Sequence, residues 1–444
     1  MFKGPKSQPG PRQIFSKEFI IKTMIKAHAG SIRKASTVRL RAFAIAILLV
    51  ASNIALPGKN SAGEPPTNVQ FVTGHSALNI PFEFEYNEIV LQVRVNNSAP
   101  LKFMFDTGAG ASILNARQAA WLNLKQVDSV KATGVGGNVQ GSLATGVSLS
   151  VPGVKVLNQR LVLLPLDFPF CEASDIDGII GYDFIKEFVV EINYDARTLS
   201  LLDPLSYRYT GRGDMLPLTI KGTPRVHALI ALPGKPPIEG LFEIDTGSDG
   251  ALTINSPFVN RHQLLSALST QVSNSERGLG GESKRFDARL GNMQLGRFKI
   301  NAPIVGFSTA AKGSMAAEDN DGPIGNEIMR RFKVVIDYSR QRMMLEPNAH
   351  LSDPFETDMS GIDFDSEGKD CRVFKVTDVA EKSPAAEAGI LSGDEIVAIN
   401  DKPANQFTST EIEKLLMQDG AEHSLTLRRA NNILVVKIKL RRLV

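Results

Sequence analysis

Between residues 88 and 347 the chain is a succession of short apolar or alternating runs, broken every few residues by Gly, Asp, Asn or Pro. That period and those breakers predict strands and tight turns, with few helices. Glu88-Ile89-Val90-Leu91-Gln92-Val93-Arg94-Val95 reads as a half-buried strand, and Asp195-Ala196-Arg197 and Ser339-Arg340-Gln341 read as hairpin turns between paired strand patterns. The runs also repeat. Leu101-Lys102-Phe103-Met104-Phe105 and Leu241-Phe242-Glu243-Ile244 each lead into Asp-Thr-Gly, at 106–108 and 245–247. Gly134-Val135-Gly136-Gly137 returns as Gly278-Leu279-Gly280-Gly281, Ile179-Ile180-Gly181 as Pro323-Ile324-Gly325, and the run 188–194 as 332–338. The aspartates are 139 residues apart and every later pair 144 apart, so one net insertion of five residues accounts for the whole register. Two copies of one lobe are the economical reading.

A single Asp-Thr-Gly is an ordinary turn after a strand, because Asp and Gly are turn residues. Two copies with the same sequels are not explained by a turn alone. Brought together, two carboxyls held on glycine turns after apolar strands make an interacting acid pair. Other chemistries find no footing in the residues. The six histidines are scattered, with no His-Glu-x-x-His and no Gly-x-Ser-x-Gly, and no Walker-type Gly-Lys-Ser/Thr follows either glycine cluster. Cys171 and Cys371 have no neighbouring thiols, so two free thiols are expected, with a bridge between them as the alternative.

With the repeat in place, the chain resembles the pepsin and retropepsin clan of aspartic proteases over about residues 85 to 347, in its retropepsin-like bacterial form. The resemblance implies a catalytic pair of Asp106 and Asp245, with Thr107 and Thr246 interlocking beneath it and Gly108 and Gly247 allowing close backbone approach. It makes Ile180-Gly181 and Ile324-Gly325 the supporting strand of each lobe. Gly134, Gly136 and Gly137, and Gly278, Gly280 and Gly281, fall where the family has its flap; a hairpin without substrate contact is the plainer reading. Ser248 matches the pepsin-like serine that supports the adjacent carboxylate, whereas Ala109 matches the retroviral motif. Neither glycine cluster carries the flap tyrosine of the pepsins. The implied mechanism is general acid–base activation of water between two aspartates sharing one proton, with neither metal nor cofactor.

Residues 356 to 444 resemble a PDZ domain of the type attached to exported bacterial proteases, through the run 376–390 and Ser392-Gly393-Asp394-Glu395-Ile396. Ser383-Pro384-Ala385-Ala386 opens a short helix that Gly389 can cap. The resemblance makes Ser360-Gly361-Ile362-Asp363-Phe364 the carboxylate-binding loop, with Asp363 at a position where many relatives have glycine. A C-terminal peptide ligand would add as a strand beside Ile362 to Phe364, against the helix 409–417.

Charge then separates the N-terminus from the rest. Residues 1–41 carry ten Lys or Arg against Glu18 alone, a charge of +9 in a chain whose total is +3, so the remainder is acidic and nucleic-acid binding is not implied. The basic stretch runs into the apolar segment 42–51, too short for a membrane span. It reads as a signal peptide, with Ser61-Ala62-Gly63 as a cleavage region; an anchor at 42–56 is the alternative. Export to a periplasm or cell surface is expected. The expected fold class is mainly β, a two-lobed pepsin/retropepsin-like fold followed by a small α+β PDZ domain. Its segments are a leader with signal peptide or anchor (1–63), a linker and first strand (64–84), lobe 1 (85–204), an interlobe connection (205–225), lobe 2 (226–347) and the PDZ domain (356–444). Peptides or unfolded proteins are the expected substrates of an endopeptidase. The chain supplies both lobes, so a monomer is expected. A non-catalytic peptide-binding or envelope scaffold acting through the PDZ domain is the alternative function.

Overall fold

The computed structural model describes residues 68–166, 171 and 175–444, together with Met1. Among them no helix is long and apolar enough to cross a membrane. The basic leader, the apolar run 42–51 and the proposed anchor at 42–56 lie outside the described residues.

The molecule is mainly β. In the first half, strand Leu101–Phe105 lies between the antiparallel strand Glu88–Val95 and the parallel strand Gly178–Ile180 of a nine-stranded sheet. In the second half, Ile238–Ile244 lies in the same way between Pro224–Ala231 and the parallel Pro323–Ile324. The repeat in the sequence is thus a repeat of local topology. Strand Pro224–Ala231 starts inside the stretch expected to bridge the lobes, and the expected linker before residue 85 supplies the strands Asn68–Phe71 and Ser76–Pro81.

A six-stranded sheet joins the halves. Val189–Asn193 from the first pairs antiparallel with Phe332–Asp337 from the second, in the register Val189↔Asp337 to Asn193↔Lys333. Both strands are rich in β-branched residues, which suit a pleated surface packed on both faces. Phe188, Val190 and Ile192 accordingly share one hydrophobic core with Val334 and Ile336. The five extra residues of the second copy have a structural counterpart: a helix, Leu264–Ala267, follows Ser256–Arg261, where the first copy has the single helix Ala116–Trp121.

The C-terminal unit has its own core, including Ile362, Phe364, Phe374, Ile412 and Leu425, within a six-stranded sheet that begins at edge strand Ile362–Glu367. Its first helix, Pro384–Glu387, starts at Ser383, whose Oγ accepts from the Ala386 N–H at 3.2 Å, with proline in its first turn. The second, Ser409–Leu416, opens with a capping box between Thr408 and Glu411.

The cysteines correct the expectation of free thiols: Cys171 and Cys371 form a disulfide, with Cα atoms 5.6 Å apart and 200 residues between them in sequence. Cys171 precedes the supporting strand of lobe 1, and Cys371 lies in the turn between Ile362–Glu367 and Val373–Val379. Spacing carries no information about contacts of that range, which only the docking of the two units creates.

Candidate active site

Each Asp-Thr-Gly hangs from a strand end that is braced on its neighbour. The Asp106 N–H donates to Ile180 O at 3.0 Å and the Asp245 N–H to Ile324 O at 3.0 Å. Each turn then folds onto its own carboxylate. Asp106 Oδ1 accepts from the Gly108 and Ala109 N–H groups at 2.8 and 2.9 Å, and Asp245 Oδ1 from the Gly247 N–H at 2.8 Å. Below the turns the threonines exchange hydrogen bonds across the halves. Thr107 Oγ1 donates to Ile244 O (2.6 Å) and accepts from Thr246 N–H (3.0 Å); Thr246 Oγ1 donates to Phe105 O (2.7 Å) and accepts from Thr107 N–H (3.1 Å).

The structure therefore brings Asp106 and Asp245 together, and glycine is what lets it. A Cβ on Gly108 would lie 2.5 Å from Asp245 Cγ, and one on Gly247 would lie 2.4 Å from Asp106 Cγ, so each carboxyl rests on the opposite turn. Gly181 and Gly325 are equally constrained: a Cβ on either would meet Ala111 O or Gly250 O at 2.4 Å.

Both aspartates are fully buried. Among the described residues outside the pair, none is a hydrogen-bond partner of Oδ2 of either one. Burial pushes the Asp106 carboxyl well above the usual carboxylate range, and the charge and hydrogen bond of Asp245 push it further, against the pull of the Gly108 and Ala109 amides. Asp245 is raised by burial only to about 6, because hydrogen bonds from Asp106, Gly247 and Gly108 favour its charged form. Two adjacent buried carboxyls cannot both ionise at low cost, so the pair holds one shared proton, which belongs to the pair rather than to either residue.

Ser248 acts here through its main chain. Its N–H donates to Asp245 O (3.4 Å), its carbonyl accepts from Asn326 N–H (2.7 Å), and its Oγ lies beneath Gly325. A residue that sequence reasoning missed ties this turn to the other half. Asn326, fully buried, donates from Nδ2 to Thr246 O (2.7 Å) and Asn87 O (2.6 Å) and accepts from Tyr194 Oη at 2.7 Å. In the first half Asp183 takes a different part, accepting from Ser112 N–H (2.8 Å) and Oγ (2.5 Å). Their only mark in the sequence is their place just after Ile-Gly.

The glycine clusters are the tips of two hairpins, Gln126–Gly134 with Gly137–Val151 and Val272–Gly278 with Gly281–Arg289. The tips meet. Gly136 N–H donates to Leu279 O at 3.2 Å, and a Cβ on Gly134 or Gly136 would lie 2.3 Å from Leu279 O or Gly280 O respectively. Gly280 is as tightly placed, 2.6 Å from Gly137 O by the same measure. Leu279 reaches across to pack with Met104, Ala109, Ile113 and Ile179 of the first half. Gly134, Gly136 and Gly280 thus serve contact between two backbones, which a Cβ would prevent.

In the C-terminal unit the loop expected to hold a chain terminus is partly used by the protein itself. Asp358 accepts from Ser360 N–H (3.1 Å) and Gly361 N–H (2.6 Å), and Ile362 N–H donates to Ser360 Oγ at 3.0 Å. Gly361 is left-handed, with φ of 77°. Three amides expected for carboxylate capture are therefore engaged, two by the carboxylate of Asp358 and one by the hydroxyl of Ser360. Asp363 and Phe364 lie on edge strand Ile362–Glu367, both buried.

Residues 91–184 match the sequence model of the family described as aspartyl protease, and residues 359–440 that of the PDZ domain. No curated protein matches the chain. Among solved structures, the aspartic proteinase from Irpex lacteus is similar at 14% identity, with a TM-score of 0.39, over 63% of this chain and 99% of that one. The first match stops short of the second Asp-Thr-Gly, which the internal repeat and the exchanged threonine bonds bring into the same site. The chain carries an aspartyl protease family domain followed by a C-terminal PDZ domain.

Proposed function

We propose that the protein is an endopeptidase that activates water between Asp106 and Asp245. The observation that carries this reading is the seating of each carboxyl on the glycine of the opposite turn, in full burial, which raises both carboxyls. The ionised member of the pair takes a proton from water, and the protonated member donates to the carbonyl oxygen of the scissile bond. A tetrahedral intermediate forms with no covalent adduct to the enzyme, and the proton returns as the amine leaves. The meeting hairpin tips would cover a bound chain and limit access of bulk water. The PDZ domain recruits or regulates through peptide binding, with its edge strand as the added-strand platform.

The pH profile tests the reading. With Asp245 raised to about 6 and Asp106 higher, the singly protonated pair exists at near-neutral pH. Cleavage of a mixed peptide library by the full-length protein should peak near neutrality and fall about tenfold per unit on the acid limb, as the base becomes protonated. No cleavage at any pH would count against this pairing of carboxyls, whereas a maximum near pH ~3 would keep the pair and place both of its titrations lower.

Export belongs to the same proposal. The basic leader, the apolar run after it and the Cys171–Cys371 bridge support it, since such bridges persist in oxidising compartments. Non-reducing peptide mapping of protein from the exported fraction is expected to recover the 171–371 cross-link. Recovery of both thiols free, from protein retained inside the cell, would remove that support.

A further inference from the structure

The two lobes differ most where the repeat places equivalent residues beside the aspartates. In the first lobe Ala132 and Leu143, on the glycine-tipped hairpin, join an apolar cluster with Met104 and Ile113. In the register that aligns the two glycine tips, their counterparts are Glu276 and Asp287, and Arg285 stands for Gly141. Nearer the catalytic turn, Asp249 replaces Gly110. The second lobe has thus exchanged apolar and glycine positions for a buried ionic network. Arg285 Nε is 2.8 Å from Asp287 Oδ1, its Nη1 is 3.8 Å from Glu276 Oε1, and Asn274 Nδ2 donates to Asp287 Oδ2 at 2.5 Å. Glu276, Arg285 and Asp287 are 0%, 5% and 6% exposed.

Charge does not balance there. Three carboxyls, Asp249, Glu276 and Asp287, face one guanidinium, and Asp249 forms no ion pair among the described residues. Its Oδ1 is buried and receives no hydrogen bond from the described residues. Asp249, Arg285 and Asp287 line a cavity of about 750 Å³ whose opposite wall is the PDZ helix, through Thr410 and Glu413. We propose that this cavity between lobe 2 and the PDZ domain receives a Lys or Arg side chain of the bound polypeptide, which supplies the missing positive charge.

The inference rests on the peptidase reading for what brings a polypeptide to the cavity. A cation entering beside Asp249 turns a costly buried like-charge cluster into paired charges. The site also joins the two domains: the PDZ helix forms one wall, and Asp249 on the other is four residues along the backbone from Asp245. Facing Asp249 are Arg285, Glu276 and Asp287 from the hairpin and Glu413 from the PDZ helix. Glu327, already bound by Arg330 and Arg331, Glu356, bound by Arg442, and the exposed Arg197 and Lys414 also line the cavity. Burial pushes the Asp249 carboxyl well above its usual range, Arg285 opposes this, and Glu276 and Glu413 add to it. Rising pH ionises the cluster, in which burial raises Glu276 to about 7, so preference for a cationic side chain should grow as pH climbs through that value.

The test uses full-length protein bearing Asp106→Asn, titrated by fluorescence anisotropy with extended peptides in which Lys is exchanged for Gln at each position in turn. At one position Lys should bind about tenfold tighter. Asp249→Asn should bring that ratio near one, and Glu413→Gln, which lies outside the protease lobes, should lower it as well. Equal affinity for Lys and Gln at every position overturns the proposal. So does a preference that survives both substitutions in protein with an unchanged circular dichroism spectrum. A Lys preference without any cleavage by the unsubstituted protein would keep the cavity assignment and refute the peptidase reading.

Discussion

Asp106→Asn and Asp245→Asn should each reduce kcat/KM for peptide cleavage on the order of 10⁴-fold, with the fold intact. An amide can neither accept a proton from water nor share one with a partner carboxyl, so both roles fail together. The fold survives because Asn Oδ1 still accepts from the amides of Gly108 and Ala109, or of Gly247. Stability should move in the opposite direction to activity. Both carboxyls are raised in the folded chain, so the folded state disfavours their ionisation. For such groups stability is lost as pH climbs from the unfolded value, near 4, towards the folded one. An Asn variant should therefore resist denaturant at least as well as the parent at pH ~7, and the difference should vanish below pH ~3.5, where all these carboxyls are protonated. Urea midpoints at the two pH values, measured beside kcat/KM, check both halves. Full activity in either variant would end the catalytic assignment.

Thr246→Val should destabilise the protein by roughly 2–5 kcal/mol, with little change in volume. Valine keeps the shape but removes the donor to Phe105 O and the acceptor for Thr107 N–H. Both orphaned groups are main-chain atoms buried between the halves, and each unsatisfied group costs about 1–3 kcal/mol. Thr107→Val should cost a similar amount through Ile244 O and the Thr246 N–H. The double variant should lose less than the sum, because a junction loosened by the first change admits water to the groups stranded by the second. Urea denaturation of the four proteins of the cycle measures this. A Thr246→Val midpoint equal to that of the parent would show that the exchanged bonds carry none of the attachment between halves.

How much of this site could be read from residues alone depends on the range of each interaction. The twin Asp-Thr-Gly turns, the glycine clusters and the strands before them are local patterns, in which apolar period and turn chemistry act over a few residues. The duplicated register added long-range information without a structure, since a repeated order of landmarks implies repeated topology. Ser383 and Thr408 mark helix starts for an equally local reason.

Pairing between distant segments followed different rules. Nothing near Cys171 or Cys371 marks them as partners, because their approach depends on how the PDZ domain docks on the first lobe. Asn326 serves three groups from separate strands, a role defined by their convergence. In the loop that the resemblance assigns to carboxylate capture, Asp358 engages the amides of Ser360 and Gly361, and Ser360 Oγ that of Ile362, contacts that no local pattern marks. Glu276, Arg285 and Asp287 fit ordinary strand alternation, which says that a side chain lies on one face and not what covers that face. The sequence alone therefore determined the strand-turn units, their duplication and the identity of the paired acids, all set by neighbouring residues. Tertiary structure decided which oxygens remain unsatisfied, which charges are buried together and what stands across the cavity, because those depend on surfaces that meet only when the chain is folded.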